Sequence, residues 1–285
     1  MTIYAVTGAS GKLGRLVLDE LLRQANPRDI MALVRDPAGL SEYALKGIEV
    51  RAADYDDPAS LQAALSGVDR VLLISGNAVG QRERQHGAAI DAAKAAGVSY
   101  LAYTSILNAQ ASKLALAGEH AATEKLLEAS GLNYDVLRMP WYSENYTGAL
   151  APSIEHGAIY GATGDGKLAT ASRKDLAAAA AGALLRSPGG KTYELAGDHP
   201  WTMTEFAAEV SRQAGKPVRY VNQSESDYAK TLESVGLPPP VAGILASTSY
   251  LAGFGELYSE SKDLSALAGR ASTPIGETIA EALRG

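Results

Sequence analysis

No cysteine occurs in the 285 residues. Disulfides, thiolate nucleophiles and cysteine-based zinc sites are therefore excluded. Cations are not in surplus either: 26 Lys and Arg stand against 32 Asp and Glu, a net charge of −6. Such a chain has no excess charge with which to neutralise a phosphate backbone, which argues against nucleic acid as its main partner. No apolar run reaches membrane-spanning length. The amino-terminal residues read as a core strand, without the basic region, apolar run and cleavage site of a signal peptide. None is expected, and a cytoplasmic location is the default. Histidine is scarce, and His86, His156 and His199 show no ligand spacing, so no metal site is expected. What remains, 46% apolar and 20% charged, suits a globular enzyme with a large core.

Residues 1–150 alternate short apolar runs with helical stretches. Strands are expected at 3–7, 30–34, 48–52, 70–74, 100–104 and 133–138, and helices at 13–23, 38–46, 58–65, 83–96 and 120–130. Most of these strands are apolar throughout rather than alternating, which fits a parallel sheet covered on both faces. The β-α alternation predicts an α/β, doubly wound Rossmann fold. Asp36-Pro37 and Asp57-Pro58 read as N-caps followed by proline at the first helical position. Gly47, Gly67, Gly97 and Gly131 each follow a helix, where a left-handed C-cap favours glycine. After residue 140 the pattern loosens. Strands at 193–196 and 218–222 and helices at 204–214 and 241–251 suggest a small carboxy-terminal substrate lobe. The expected division is 1–150 as nucleotide-binding core and 151–285 as a mixed lobe with returning core segments.

The first strand runs into Gly8-Ala9-Ser10-Gly11-Lys12-Leu13-Gly14 and then a helix. Glycine allows the tight turn and close approach of the backbone to a phosphate, while the helix start offers free N–H groups to a pyrophosphate. Thr7, Gly8, Ser10, Gly11, Lys12, Leu13 and Gly14 are therefore expected to bind a dinucleotide. Arg35 follows the second strand, where an acidic residue would accept from the ribose 2′-hydroxyl of NAD. A guanidinium there suits the 2′-phosphate of NADP instead, with Lys12 as a second charge. The alternative for Arg35 is a solvated surface charge. Asp54 and Tyr55 follow the third strand and are expected beside the adenine, Asp54 being equally suited to capping the next helix. Ser75-Gly76 follows the fourth strand, where a small residue lets the backbone pass the ribose and pyrophosphate. Gly161 to Gly166 reads as a turn rather than a second phosphate loop.

These residues resemble the short-chain dehydrogenase/reductase superfamily in its atypical, NmrA-like branch. Thr7 to Gly14, Ala32-Leu33-Val34-Arg35, Ala53-Asp54-Tyr55, Val79-Gly80-Gln81-Arg82, Ala102-Tyr103-Thr104-Ser105, Glu119-His120 and Trp141 to Tyr146 are similar to the bacterial type 2 NAD(P)H:quinone oxidoreductases. Gly164 to Lys167, Tyr193 to Asp198 and Ser234 to Pro238 extend the likeness over nearly the whole chain, with triphenylmethane-dye reductase more distant. The resemblance implies an NADPH-preferring reductase that passes hydride to quinones without a flavin. A quinone or other conjugated acceptor is the expected partner, with neither nucleic acid nor membrane, and a homodimer is compatible with the sequence. NmrA-like regulators, which bind NAD(P) and report redox state without turnover, are the alternative.

Most of the superfamily uses a Tyr-x-x-x-Lys pair as proton donor. Here His120 stands at the lysine position and Leu116 at the tyrosine position. The usual acid is missing, so ordinary ketone chemistry is not expected. Hydride addition to a quinone gives a delocalised hydroquinone anion that can take its proton from water, so holding the reactants together is the main demand. Tyr103, Ser105, His120 and Tyr142 are candidates to orient the acceptor. His120 could equally be structural, and Ser105 lacks the nucleophile elbow of a hydrolase. Arg138, Met139, Pro140 and Trp141 follow the sixth strand and are expected near the nicotinamide carboxamide. Proline at 140 removes one N–H there, and Trp141 either stacks on a flat acceptor or fills the core under the lobe. The cleft is expected to be closed by residues near 140–170 and 225–255.

Overall fold

A computed structural model describes residues 1–284. Its strands are β1 (Tyr4–Thr7), β2 (Ile30–Val34), β3 (Glu49–Ala52), β4 (Arg70–Leu73), β5 (Tyr100–Ile106), β6 (Tyr134–Met139), β7 (Ala158–Gly161), β8 (Lys191–Glu194) and β9 (Arg219–Asn222). Seven form one parallel sheet in the order β3-β2-β1-β4-β5-β6-β8, the doubly wound order with one strand added at the β6 edge. The crossover point between β1 and β4 opens a crevice at the carboxy ends of the strands. All five residues of β2 and all seven of β5 are buried, as expected of strands covered on both faces.

The helices are α1 (Lys12–Leu22), α2 (Ser41–Leu45), α3 (Pro58–Ala64), α4 (Arg82–Ala95), α5 (Ala117–Ser130), α6 (Glu144–Thr147), α7 (Leu150–His156), α8 (Arg173–Arg186), α9 (Met203–Ala214), α10 (Glu225–Ser234), α11 (Pro239–Ala252), α12 (Asp263–Ala268) and α13 (Ile275–Arg284). One face of the sheet is covered by α1 and α8, with α12 outside α8. The other carries α3, α4 and α5. Helix α1 buries Leu13, Gly14, Val17, Leu18 and Leu21, a stripe at three- and four-residue spacing. The expected caps form: Asp36 accepts from the Ala38 N–H and Asp57 from those of Ala59 and Ser60, and Gly47, Gly67, Gly97 and Gly131 all have positive φ. The stretch expected as a helix over 38–46 is instead a 3-10 turn, Pro37–Leu40, followed by the short α2.

A third apolar cluster lies away from the large sheet. Trp201, Phe206 and Val210 pack there with Leu168, Leu257 and Ile279, beside the two-stranded sheet of β7 and β9. Helix α8 and strand β8, late in the chain, return to the main core. Among the described residues, no helix is long and apolar enough to cross a membrane, and no group of three or more metal-ligating side chains occurs.

Candidate active site

The cleft at the switch point encloses about 650 Å³ and is lined by Thr7, Gly8, Ser10, Gly11, Lys12, Leu13, Gly14, Arg35, Asp54, Tyr55, Ser75, Gly76 and Tyr142, with Asp56, Asn77, Ala78, Gln85 and Arg173. Gly8 takes φ +58 and its carbonyl accepts from Gly11 N–H at 3.0 Å, closing the turn. A Cβ on Gly14 would lie 2.5 Å from that carbonyl oxygen, so only glycine lets α1 approach the loop. Gly11 begins α1 with no side-chain cap and no acidic residue in the first turn. The helix N–H groups are thus left for an anion. Lys12 and Arg35 are exposed and form no ion pair among the described residues. Free N–H groups at a glycine turn and two uncommitted cations fit the pyrophosphate and 2′-phosphate of NADP(H).

Several residues expected to touch the nucleotide line the cleft and also shape the backbone around it. Thr7 Oγ1 accepts from Ile74 N–H at 3.0 Å. The Tyr55 hydroxyl donates to the Ile74 carbonyl at 2.6 Å and lies 2.5 Å from Thr7 Oγ1. Burial pushes that hydroxyl well above its ordinary range. Together they tie the end of β1 to the loop after β4. Thr104 Oγ1 accepts from Ser75 N–H at 2.8 Å. Asp54 does not cap α3. Its carboxylate accepts from Asp56 N–H at 3.0 Å in a local turn, and Asp57 holds the cap position.

His86, which spacing alone left without a role, fixes the same loop. Gly76 N–H donates to its Nε2 at 3.0 Å, so Nδ1 carries the proton and donates to Thr123 Oγ1 at 2.9 Å. Thr123 in turn donates to the Glu119 carbonyl at 2.9 Å. Burial first, then the charges of His120 and Arg82, hold the His86 pKa down at about 3. The Gly76 carbonyl accepts from Arg82 Nε at 2.7 Å, and Glu119 Oε1 takes Gly80 N–H at 2.7 Å. No local sequence pattern marks His86, because its partners lie on a loop and on α5.

Of the four acceptor candidates, only Tyr142 lines the cleft. Tyr103 is fully buried, with its hydroxyl 2.8 Å from His120 Nδ1. His120 is 6% exposed, and burial, then Arg82, holds its pKa at about 4, so at neutral pH it is an uncharged imidazole. The Ser105 hydroxyl donates to Glu124 Oε1 at 2.6 Å, which commits its proton to a buried carboxylate. Arg138 does not reach the cleft either. Its guanidinium bridges Glu124 (2.7 and 3.0 Å) and Glu194 (2.8 Å). Met139 lies in the core beside α8, Pro140 is buried, and Trp141 packs against the lobe cluster. The side chains of these four residues go into ion pairs and packing rather than into the lining of the cleft, because β6 continues through Met139. Residues 225–255 do not line the cleft; α10 and α11 pack on one another.

Arg173 was not foreseen. Its guanidinium lies over the Tyr142 ring, 4.3 Å from the centroid. Ser172-Arg173-Lys174-Asp175 ahead of an apolar run was the available signal: Ser172 Oγ accepts from Asp175 N–H at 3.1 Å and caps α8.

Residues 8–187 match the NAD(P)H-binding family. The chain belongs to that family. It is 50% identical to quinone oxidoreductase 2 of Escherichia coli (strain K12) over 278 residues, 97% of each chain. It is 31% identical to an NAD(P)H azoreductase of Xenophilus azovorans over 87% of this chain and 88% of that one. The crystal structure of the E. coli NADPH-dependent quinone oxidoreductase QOR2 complexed with NADPH superimposes with a TM-score of 0.96 at 48% identity, covering 99% of this chain and all of that one. The Citrobacter sp. triphenylmethane reductase complexed with NADP(H) gives 0.94 at 37% identity, over 98% and 99%. Membership of this NAD(P)H-binding family agrees with the glycine turn, the uncapped helix and the unpaired Arg35 found in the cleft.

Proposed function

We propose that this protein reduces quinones with NADPH by direct hydride transfer, without a flavin. The observation that carries the reading is the cleft itself. It offers an NADP(H)-shaped set of donors at one end, and at the other a flat aromatic face, Tyr142, with no Tyr-x-x-x-Lys pair in the sequence at the usual acid position. Half of the residues are shared with an E. coli quinone oxidoreductase along nearly the whole length, which supports the same conclusion. Bound NADPH supplies a hydride from the nicotinamide ring. The chain's own residues do the rest. The first-turn N–H groups of α1 and the loop Gly8 to Gly14 hold the pyrophosphate, while Lys12 and Arg35 hold the 2′-phosphate. The Ser75-Gly76 backbone, braced by Thr104, His86 and Arg82, gives the cleft a fixed wall. Rate enhancement then comes mainly from juxtaposition. In this reading residues 1–150, with α8 and β8, form the nucleotide core, and the remaining lobe shapes the acceptor side. A cytoplasmic location and a homodimer belong to the same reading on the family resemblance alone; fractionation and sedimentation velocity test them.

The experiment is NADPH oxidation followed with a simple benzoquinone, together with an absorption spectrum of the purified protein. Turnover with no flavin bands is expected. Tight NADPH binding without turnover would replace the enzyme by a redox-sensing regulator.

A further inference from the structure

Three cations line the cleft: Lys12 at the glycine loop, Arg35 at the end of β2, and Arg173 beside Tyr142. The first two face the phosphates of the nucleotide. Tyr142 follows β6, at the opposite end of the strand order from the adenosine side at β2 and β3. Arg173 is therefore a positive charge at the acceptor end. It is also held in place. Nη2 donates to Asn145 Oδ1 at 3.1 Å, the guanidinium lies against Tyr142, and the side chain is only 17% exposed. Glu144 takes the Arg173 backbone N–H at 2.9 Å, and its Oε2 lies 3.5 Å from Nη1. A guanidinium has five N–H donors, and among the described residues this one makes a single side-chain hydrogen bond.

Resting on the quinone reading above, we propose that Arg173 stabilises the oxyanion formed on the acceptor during hydride uptake, and thereby selects acceptors whose reduction places negative charge on oxygen. In the reaction the nicotinamide C4–H bond breaks, and the hydrogen leaves with both electrons to form a new bond to the quinone. NADPH becomes NADP⁺, the quinone becomes the hydroquinone monoanion, and water supplies the final proton. Arginine suits this role because it does not deprotonate, so its charge is unchanged throughout. A charge held in place needs little reorganisation as the anion forms. Ser105 is committed to Glu124 and His120 is neutral, so neither supplies a charge to the developing anion. The Tyr142 hydroxyl keeps its proton, burial raising it above its ordinary range while Arg173 pulls it back.

The test uses 4-nitrophenol, whose coloured anion mimics the product, added to the full chain saturated with NADP⁺. Wild type is expected to bind the anion in preference to the phenol and to lower its apparent pKa by about one unit, a tenfold preference. Removing a single oxyanion donor usually costs about 10²–10³; the nearby Glu144 carboxylate reduces that here. Arg173→Met should abolish the shift and leave the NADP⁺ Kd within about twofold, Arg173→Lys should retain most of it, and Glu144→Gln should enlarge it. A shift that survives in Arg173→Met overturns the proposal. So does an equal loss of NADP⁺ and nitrophenolate affinity, which would make Arg173 a phosphate ligand. An Arg173-dependent shift in a protein that turns over no quinone would sink the proposed activity and leave the anion site standing. Quinone turnover without the shift would do the reverse.

Discussion

The two ends of the cleft are built on opposite principles. At the adenosine end the cleft presents main-chain N–H groups and two exposed cations that form no ion pair among the described residues. Behind the wall of the other end the polar side chains are already engaged with one another: His86 with Gly76, Tyr103 with His120, and Ser105 and Arg138 with Glu124. The first end is open chemistry awaiting a ligand. The second is scaffolding with two exceptions, Tyr142 and Arg173. Local determinants make the first end specific for a nucleotide; tertiary networks make the second rigid and leave its specificity to shape and one charge.

The sharpest way to break this contrast is at Arg138. If it is scaffolding, Arg138→Met strands the 4%-exposed Glu124 without its partner and should destabilise the fold by about 3–5 kcal/mol. The NADPH Kd of the folded fraction should change by less than about threefold. Denaturant titration with coenzyme titration checks both, and lost binding at unchanged stability would return Arg138 to the cofactor site.

At the open end, Arg35→Ala should remove a charge-assisted contact worth about 1.5–3 kcal/mol, or about 10- to 150-fold in NADPH affinity. NADH affinity should move by less than about twofold. Calorimetry with both coenzymes decides it, and equal losses would show that Arg35 does not discriminate between them.

The remaining effect concerns acid and is smallest near neutral pH. His86 and His120 titrate at about 3 and about 4 when folded, below the ordinary histidine value of 6.5. The unfolded chain therefore takes up protons first as pH falls. Stability should be undiminished by these two groups above about pH 6.5, and should decline from there toward pH 4 by at most about 2.7 kcal/mol per pH unit. Urea unfolding at a series of pH values measures the slope, and His86→Gln should remove about half of it. A flat profile would mean that the pair is charged in the folded state.

The same contrast explains what could be read from the sequence. Strands β1 to β6 were visible because most are largely apolar and their flanking helices carry local caps, Asp57 and Gly131 among them. The glycine turn and Arg35 were visible because their chemistry is contained in a few consecutive residues. Helix α8 was invisible to periodicity: from Asp175 to Leu184 every residue is buried, so no polar face marks the turn of the helix. Its cap, Ser172 with Asp175, was the one local clue. The pairing of β7 with β9 joins residues about sixty apart, and His86 acquires its role only when α4, α5 and the Gly76 loop meet. For Arg138 and Ser105 the sequence could not show their engagement: position at the end of a strand says where along the sheet a residue lies, not whether a neighbour has already taken its hydrogen bonds.

Asp175 carries a consequence beyond capping. Fully buried, it binds Arg270, Thr273 N–H at 2.8 Å and Thr273 Oγ1 at 3.2 Å. Two residues earlier on the same helix is Arg173, and at the far end of that helix the Leu184 carbonyl accepts from Arg70 Nε at 2.6 Å beneath the sheet. Helix α8 is thus a strut about 21 Å long, bolted at its upper joint by the tail of the polypeptide. Shortening or loosening that tail would tilt the strut and be felt first where the acceptor docks, far away in sequence from the cut.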